Sequence, residues 1–196
     1  LAITYGSETI KVSNQFYDSR RDLETIVFDD NTELHLDRTS FSLYGTSGAD
    51  TLTGVTYVGS EDDEIYGYDG NDTLNGLAGD DALHAGSGND TLTGGDGADT
   101  YYYTSGDDVI NESSSSGTTF DRLVMASGIV EADLSYAQSG DDLVITVSGL
   151  GSITLTSFYD AAQDYQVEEL EVDSTLIDLT ALSFDETITG TSGDDT

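Results

Sequence analysis

The feature that most constrains this chain is a nine-residue repeat running without interruption from Val58 to Asn111. Read in steps of nine, the segment is VGSEDDEIY, GYDGNDTLN, GLAGDDALH, AGSGNDTLT, GGDGADTYY and YTSGDDVIN. The sixth position is aspartate and the eighth is large and apolar in all six copies, and the fourth is glycine in five. Self-similarity at a short fixed period is typical of solenoids, in which each repeat is one structural unit.

The periodic aspartates are Asp63, Asp72, Asp81, Asp90, Asp99 and Asp108. One further copy, GTSGADTLT from Gly45, precedes them and supplies Asp50. Residues 54–57 then break the frame, so we expect the contacts of this first copy to be distorted. A disordered acidic segment has no reason to place one large apolar residue at every ninth position, so the repeat predicts a folded structure.

Each nonapeptide divides into a glycine-rich six-residue loop and a three-residue strand. The middle strand residue is apolar and points inward, while its polar neighbours point outward. If two nonapeptides make one coil, residues eighteen apart stack along each side, with coils about 4.8 Å apart. The predicted stacks are Asp63 over Asp81 and Asp99, and Asp72 over Asp90 and Asp108.

The charge of the chain requires a cation. There are 39 acidic residues against 5 lysines and arginines, a formal net charge of −34. Carboxylates stacked this closely repel one another unless a cation lies between them. Oxygen-only ligands suit Ca²⁺ better than Mg²⁺, which demands stricter octahedral geometry, and zinc or copper would require His or Cys. The acidity also excludes nucleic acid as a partner and disfavours anionic membrane surfaces.

The repeat resembles the RTX (repeats-in-toxin) haemolysin-type calcium repeat G-G-x-G-x-D-x-U-x. GGDGADTYY matches the loop of that pattern in full, with Tyr101 in place of the aliphatic residue. The resemblance implies an all-β fold, a right-handed parallel β-roll with several Ca²⁺ ions between loops two repeats apart. The aspartates that it implicates as ligands are Asp50, Asp63, Asp72, Asp81, Asp90, Asp99 and Asp108. The loop residues that it implicates, several through backbone carbonyls, are Gly67, Asp69, Gly70, Gly76, Ala78, Gly79, Gly86, Gly88, Gly94, Gly95 and Gly97.

A longer repeat encloses the nonapeptides. GTSGADT at 45–51 returns as GTSGDDT at 190–196, and IKVSNQFYD at 10–18 is echoed by ITLTSFYD at 153–160. We therefore expect one period of a tandem array, in which Asp195 begins the next ladder. The predicted domains are the end of a preceding block (1–43), the calcium-binding roll (44–111), a β-rich capping region (112–189) and the start of the next block (190–196).

The region after the repeats also resembles the corresponding region of bacterial haemolysins and adenylate cyclase toxin. Leu143–Val147 and Ile153–Phe158 alternate apolar and polar residues around a Ser-Gly-Leu-Gly turn, which predicts a hairpin. Val167–Val172 is predicted to be another strand. Together these strands would form a small antiparallel cap on the roll, joined to it by a flexible connector at Ser113–Ser116.

No catalytic motif is present in the sequence, and we expect no enzyme activity from this segment. His35 and His84 are isolated and are expected at the surface. The acidic pairs at 107–108 and 141–142 are better explained by turns or calcium binding than by an acid–base dyad. Residues Tyr101–Tyr103 are interpreted as an aromatic plug at the end of the roll, with a carbohydrate platform as the alternative.

These features favour a block that folds when it binds Ca²⁺ outside the cell, which the resemblance links to type I secretion of a larger, toxin-like bacterial protein. The alternatives are a calcium-rigidified adhesin spacer that meets a host-cell surface or glycan, and an appendage of a secreted enzyme or pore-forming toxin. Leu1–Tyr5 lacks the features of a signal peptide and is interpreted as part of a strand within a longer protein. The expected partners are therefore calcium ions, adjacent RTX blocks and, through the full-length protein, the type I secretion machinery.

Overall fold

The computed structural model describes residues 40–54, 62–112, 120–160 and 166–182, and four short strands nearer the N-terminus. The predicted connector Ser113–Ser116 and the predicted next block at 190–196 lie outside the described residues. Within the described part of the chain, no helix is long and apolar enough to cross a membrane. The regular structure there is strand apart from two short 3-10 helices, Glu131–Asp133 and Leu179–Ala181.

The chain divides into two units, Leu1–Thr39 and Ser40–Thr196. The first unit contains two antiparallel pairs, β1 with β2 and β3 with β4. Its strands are β1 (Ala2–Tyr5), β2 (Glu8–Lys11), β3 (Thr25–Val27) and β4 (Glu33–His35). The strands of the second unit are β5 (Ser40–Tyr44), β6 (Thr51–Thr53), β7 (Asp62–Tyr66), β8 (Thr73–Ala78), β9 (Ala82–Ser87), β10 (Thr91–Asp96), β11 (Thr100–Ile110), β12 (Asp121–Met125), β13 (Leu134–Ser139), β14 (Asp142–Val147), β15 (Gly151–Leu155), β16 (Val167–Val172) and β17 (Thr175–Asp178).

The second unit is a parallel β-solenoid, which confirms the predicted fold class. One series of parallel neighbours is β5, β7, β9 and β11, and the other is β6, β8, β10 and β11. Leu74 lies in register with Leu92, and Ile65 with Leu83. Because each partner is eighteen residues further along, two nonapeptides make one coil.

The apolar residue at the eighth position of each repeat fills the inside of the roll. None of these six residues is more than 2% exposed: they are Ile65, Leu74, Leu83, Leu92, Tyr101 and Ile110. Burying each aliphatic member contributes about 1.5–3 kcal/mol. A three-residue strand cannot bury its inner face alone, so this contribution requires stacked coils.

The strands after the repeats continue the roll before they cap it. β12 pairs in parallel with β11, with Leu123 beside Tyr101, and β16 pairs in parallel with β12. β15 also pairs in parallel with β11, with Leu155 beside Ile110. The predicted boundary at 111/112 therefore falls within continuous sheets, and the one at 43/44 falls inside β5. These domain limits stay predictions.

Antiparallel strands complete this end of the second unit. β14 and β15 form the predicted hairpin, β13 adds to β14, and β17 adds to β16. The predicted strand Val167–Val172 is β16. The cap is therefore mixed: β12, β15 and β16 extend the parallel sheets, and the hairpins fold back on them. The antiparallel cap predicted from the sequence therefore describes the hairpins, but not the parallel pairing of β12, β15 and β16.

Outward-facing aromatic rings form a stack along one side of the roll. The ring of Tyr66 lies 5.2 Å from that of Tyr44 and 4.3 Å from that of His84, and the His84 and Tyr102 rings lie 4.1 Å apart. Each of these pairs is within 11° of parallel. His84 faces outward, as predicted, but it is half-buried, and burial lowers its pKa although Glu64 opposes that shift. At a pH above the ordinary histidine pKa, the His84 ring is therefore neutral when it stacks on its neighbours.

Candidate metal sites

Buried aspartates form two columns that run along the roll. In each column the backbone N–H of one aspartate donates to the Oδ1 atom of the aspartate in the next coil. These bonds are Asp63 to Asp81 (2.7 Å), Asp81 to Asp99 (2.8 Å), Asp72 to Asp90 (2.8 Å) and Asp90 to Asp108 (3.0 Å). All six side chains are at most 3% exposed. The eighteen-residue stacking predicted from the repeat is present.

Each column gains one further aspartate across a spacing of 22 residues. Asp50 N donates to Asp72 Oδ1, and Asp99 N donates to Asp121 Oδ1, both at 2.8 Å. Asp121 was not predicted, because four extra residues take it out of the nonapeptide frame. Its signal in the sequence is the Asp-x-Leu of Asp121 and Leu123, which reproduces positions six and eight. We define column A as Asp63, Asp81, Asp99 and Asp121, and column B as Asp50, Asp72, Asp90 and Asp108.

The second carboxylate oxygens of the central aspartates lack protein partners. The Oδ2 atoms of four residues are fully buried without a hydrogen bond: they belong to Asp72, Asp81, Asp90 and Asp99. Leaving a buried charged oxygen unpaired is costly, so each of these atoms requires a cation or a proton. Oδ1 maintains the stack and Oδ2 is available for a ligand.

Asp50 differs from the central aspartates. Its Oδ2 atom accepts hydrogen bonds from Thr46 N at 2.6 Å and from Thr46 Oγ1 at 2.8 Å. This carboxylate is already satisfied by its own loop and is only half-buried. Asp50 therefore stacks on Asp72 like the other aspartates, but its Oδ2 atom already has partners in its own loop. Its weaker role as a calcium ligand stays a prediction.

The first-position glycines leave space that oxygens surround. A Cβ atom on Gly76 would lie 2.2 Å from Asp81 Oδ2 and 2.8 Å from the carbonyl oxygen of Gly94. A Cβ atom on Gly67 would lie 2.6 Å from Asp72 Oδ2 and 2.5 Å from the carbonyl oxygen in the next coil. A carboxylate and a carbonyl from neighbouring coils therefore converge, and such oxygen ligands are those that Ca²⁺ prefers. The donor set fits calcium.

The fourth-position glycines allow the coils to approach closely. Their φ angles lie between +132° and +138° at Gly70, Gly79, Gly88 and Gly97. A Cβ atom on Gly88 would lie 1.7 Å from the carbonyl oxygen of Gly70. The second-position glycines Gly86 and Gly95 also have positive φ, +103° and +115°. A side chain at Gly70, Gly86, Gly88, Gly95 or Gly97 would meet the backbone of the neighbouring coil and force the loops apart.

The predicted third-position ligands lie towards the outside of the loops. Asp69 is exposed, and its Oδ1 atom accepts a hydrogen bond from Ser87 Oγ at 2.5 Å. Ala78 ends β8 and lies in register with Asp96. The structure thus places the aspartates and the glycine loops together in two stacks. Calcium coordination by each individual residue stays a prediction.

Burial raises the pKa of four of the stacked aspartates above the ordinary value of 3.8. The pKa rises to about 7 at Asp81, about 6 at Asp90, about 8 at Asp99 and about 7 at Asp108. Desolvation is the largest cause, and neighbouring carboxylates add to it, while the backbone N–H bond opposes it. Without a cation, burial therefore favours the protonated form of these four carboxyl groups near neutral pH.

The calcium-free roll is expected to lose stability as the pH rises from about 4 to about 8. A folded-state pKa above the unfolded value means that the folded chain binds more protons across this window. The stabilisation that proton binding to these aspartates provides is complete below their pKa in the unfolded chain. It is lost as the pH rises through their pKa values in the folded chain. Far-UV circular dichroism in excess EDTA, recorded from pH 5 to pH 8, measures this change as a progressive loss of β-structure. Greater stability at pH 8 would contradict it.

Other polar and aromatic candidates have structural roles. Asp107 is exposed whereas Asp108 is buried, so this pair points to opposite faces. Asp142 Oδ1 accepts a hydrogen bond from Ser157 N at 2.8 Å, which is a turn contact. Tyr101 and Tyr103 are 1% and 3% exposed. They lie inside the core with β12 beyond them, so the predicted end-plug is instead an interior layer.

Two family models match the chain. The model for the RTX calcium-binding nonapeptide repeat matches in four copies, at residues 42–55, 57–83, 75–110 and 180–196. The haemolysin-type calcium binding protein related domain matches residues 1–38. No curated protein sequence gives a significant match.

Two solved structures resemble this chain at 27% sequence identity. The extracellular lipase LipA from Serratia marcescens matches 58% of the chain with a TM-score of 0.44, and the chain spans only 18% of that lipase. The AlgE6R3 subunit of the Azotobacter vinelandii mannuronan C5-epimerase matches 78% of the chain, which spans 92% of it, with a TM-score of 0.45. The two haemolysin-type models together match residues 1–38, 42–55, 57–110 and 180–196, and the aspartates of the matched nonapeptides stack in two columns. The chain belongs to the haemolysin-type RTX calcium-binding repeat proteins.

Proposed function

We propose that this chain is a folding module whose roll forms when Ca²⁺ binds between its coils outside the cell. One observation carries the proposal: buried Oδ2 atoms without partners recur along two columns of aspartates. At Asp72 and Asp81 a carbonyl oxygen of the next coil also converges on the space that Oδ2 borders, as the surroundings of Gly67 and Gly76 show. The ions would cross-link successive coils along both edges of the roll.

Calcium binding would supply free energy of folding directly. The unfolded chain does not bring residues eighteen apart together, so the sites exist only in the folded state. A chain of net charge −34 repels itself when it is compact, and bound cations reduce that repulsion. Extracellular calcium-binding modules work with dissociation constants of about 10⁻⁴–10⁻³ M, which suits a chain that stays unfolded in a calcium-poor cytosol.

The host would be a larger secreted, toxin-like protein exported through a type I channel. Membership of the RTX repeat family supports this context, because such repeats occur in secreted proteins. The unfolded, calcium-free chain would pass through the channel, and folding outside would prevent its return. Within the host, this structural block would contact neighbouring blocks of the same array and would carry no catalytic step itself.

A calcium titration followed by far-UV circular dichroism tests the proposal. At pH 8 in excess EDTA we expect a spectrum of unfolded chain, and a cooperative gain of β-structure at submillimolar to millimolar calcium. Magnesium at the same concentrations serves as the control and should produce little change, since it resists replacing its water ligands with carbonyls. A fully β-structured chain in EDTA at pH 8 would overturn the proposal.

The aromatic stack does not favour the glycan-binding alternative. A sugar ring packs against an exposed aromatic face, but the faces of Tyr66 and His84 are covered by their neighbours in the stack. Of the three consecutive tyrosines, only Tyr102 points outward. The stack is better explained as support for the coil spacing.

A further inference from the structure

Three carboxylates and a tyrosine hydroxyl meet at the C-terminal end of column A. Asp99, Glu112 and Asp121 each offer a carboxylate oxygen, and these three atoms lie within 4.8 Å of one another. Asp99 and Asp121 are 1% exposed and 2% exposed. Glu112 is not one of the periodic aspartates, and the nonapeptide pattern assigns no role to an acidic residue at its position.

The position of Glu112 explains why its side chain enters the column. It directly follows YTSGDDVIN and therefore occupies position one of the next repeat, where Gly76 and Gly94 stand in earlier coils of the same column. A Cβ atom on Gly94 would lie 2.1 Å from Asp99 Oδ2. A side chain at position one is thus directed at the column, and only here is it a carboxylate among the described copies.

Two oxygens of this cluster have no partner. Asp99 Oδ2 and Glu112 Oε2 are buried and make no hydrogen bond. The other Glu112 oxygen accepts a hydrogen bond from the Tyr101 hydroxyl, which itself accepts one from Gly94 N at 2.8 Å. Tyr101 therefore positions the glutamate, and two oxygens are directed into a space without a protein donor.

The cluster cannot hold three negative charges unaided. Three ionised carboxylates within 4.8 Å would repel strongly in such a buried place. Either a proton is shared between two of them or a cation lies among them, and the unpartnered oxygens favour a cation.

We propose that Asp99, Glu112 and Asp121 bind a divalent cation that closes column A, with Glu112 replacing the carbonyl ligand of a regular coil. The choice of calcium rests on the proposed function. Affinity for calcium rises with the number of charged ligands in a site. Because three carboxylates meet here, this site binds the first and tightest calcium ion among the sites that the described residues form.

The variant Glu112→Gln tests this assignment, with Glu131→Gln as the matched control. Glu131 is exposed in a 3-10 helix and belongs to neither column. Calorimetric calcium titration of the whole chain should show one ion fewer for Glu112→Gln, with the tightest phase lost or weakened at least tenfold. Glu131→Gln should bind as the wild type does. Unchanged stoichiometry and affinity in Glu112→Gln would overturn the site and assign a shared proton instead.

A second variant decides the matter if Glu112→Gln does not fold. Tyr101→Phe keeps all three carboxylates but removes the phenol next to the site. With one equivalent of Tb³⁺, emission excited through tyrosine should fall several-fold relative to the wild type, and unchanged emission would overturn the assignment.

A wild-type chain that binds no calcium would overturn the proposed function itself, whereas normal wild-type binding with an unaffected Glu112→Gln overturns only this site.

Discussion

Asp81→Asn is expected to raise the calcium concentration needed for folding at least tenfold, which corresponds to about 1.4 kcal/mol. Asp81 lies in the middle of column A, where its Oδ1 atom accepts from Asp63 N and its Oδ2 atom has no partner. Asparagine retains the Oδ1 acceptor and the shape of the side chain, but it replaces the second oxygen with an amide that cannot bind a cation. The substitution therefore separates ion binding from stacking. The midpoint of a calcium titration followed by circular dichroism measures the effect.

Asp50→Asn is the matched control for this prediction. Asp50 stacks on Asp72 in the same way, but its Oδ2 atom is already bonded to Thr46. We expect its calcium midpoint to shift much less than that of Asp81→Asn. Equal midpoints for the two variants would contradict an ion held between stacked coils.

Gly88→Ala is expected to destabilise the calcium-bound roll by about 3 kcal/mol or more, because it combines backbone strain with a steric clash. Gly88 has φ +132°, and its new Cβ would lie 1.7 Å from the Gly70 carbonyl oxygen and 2.6 Å from the Gly70 carbonyl carbon. The obstructing atoms belong to the backbone of the neighbouring coil, so relief requires the coils to separate. Separation would also spread the converging oxygens of the ion sites. Urea unfolding in saturating calcium measures the loss.

The fourth-position glycine of the first copy provides the control. Gly48 does not have a positive φ, and the nearest atom to a Cβ placed there is Thr46 Oγ1 at 4.0 Å. Gly48→Ala should therefore change the free energy of unfolding by no more than about 0.5 kcal/mol. If Gly48→Ala and Gly88→Ala lowered the free energy of unfolding by similar amounts, the close approach of the coils would not be the reason for glycine at the fourth position.

The repeat predicts the roll well because one period carries both local and long-range information. A loop of six residues and a strand of three place the eighth position inside, and pairing of nonapeptides then determines the eighteen-residue register seen between Leu74 and Leu92. The same spacing separates Tyr66, His84 and Tyr102. The aromatic stack could therefore also have been predicted from the eighteen-residue spacing. His84 considered by itself, without that spacing, was interpreted as an ordinary surface residue.

Residues outside the frame could not be predicted in the same way. Asp121 follows Asp99 after 22 residues, and Glu112 is one acidic residue among 39. Only the fold shows that both meet Asp99. The alternation in β15 likewise predicts a strand and a hairpin, but its parallel pairing with β11 depends on tertiary contacts between distant residues.

The most direct measurement is the position of calcium ions in crystals of this chain grown with calcium, located by anomalous scattering. We predict ions between successive coils along both columns, at about 2.3–2.6 Å from the Oδ2 atoms that lack protein partners. Those atoms belong to Asp72, Asp81, Asp90 and Asp99. Columns without ions, in which these oxygens carry protons or bind water while calcium lies elsewhere, would contradict calcium-dependent cross-linking of the coils.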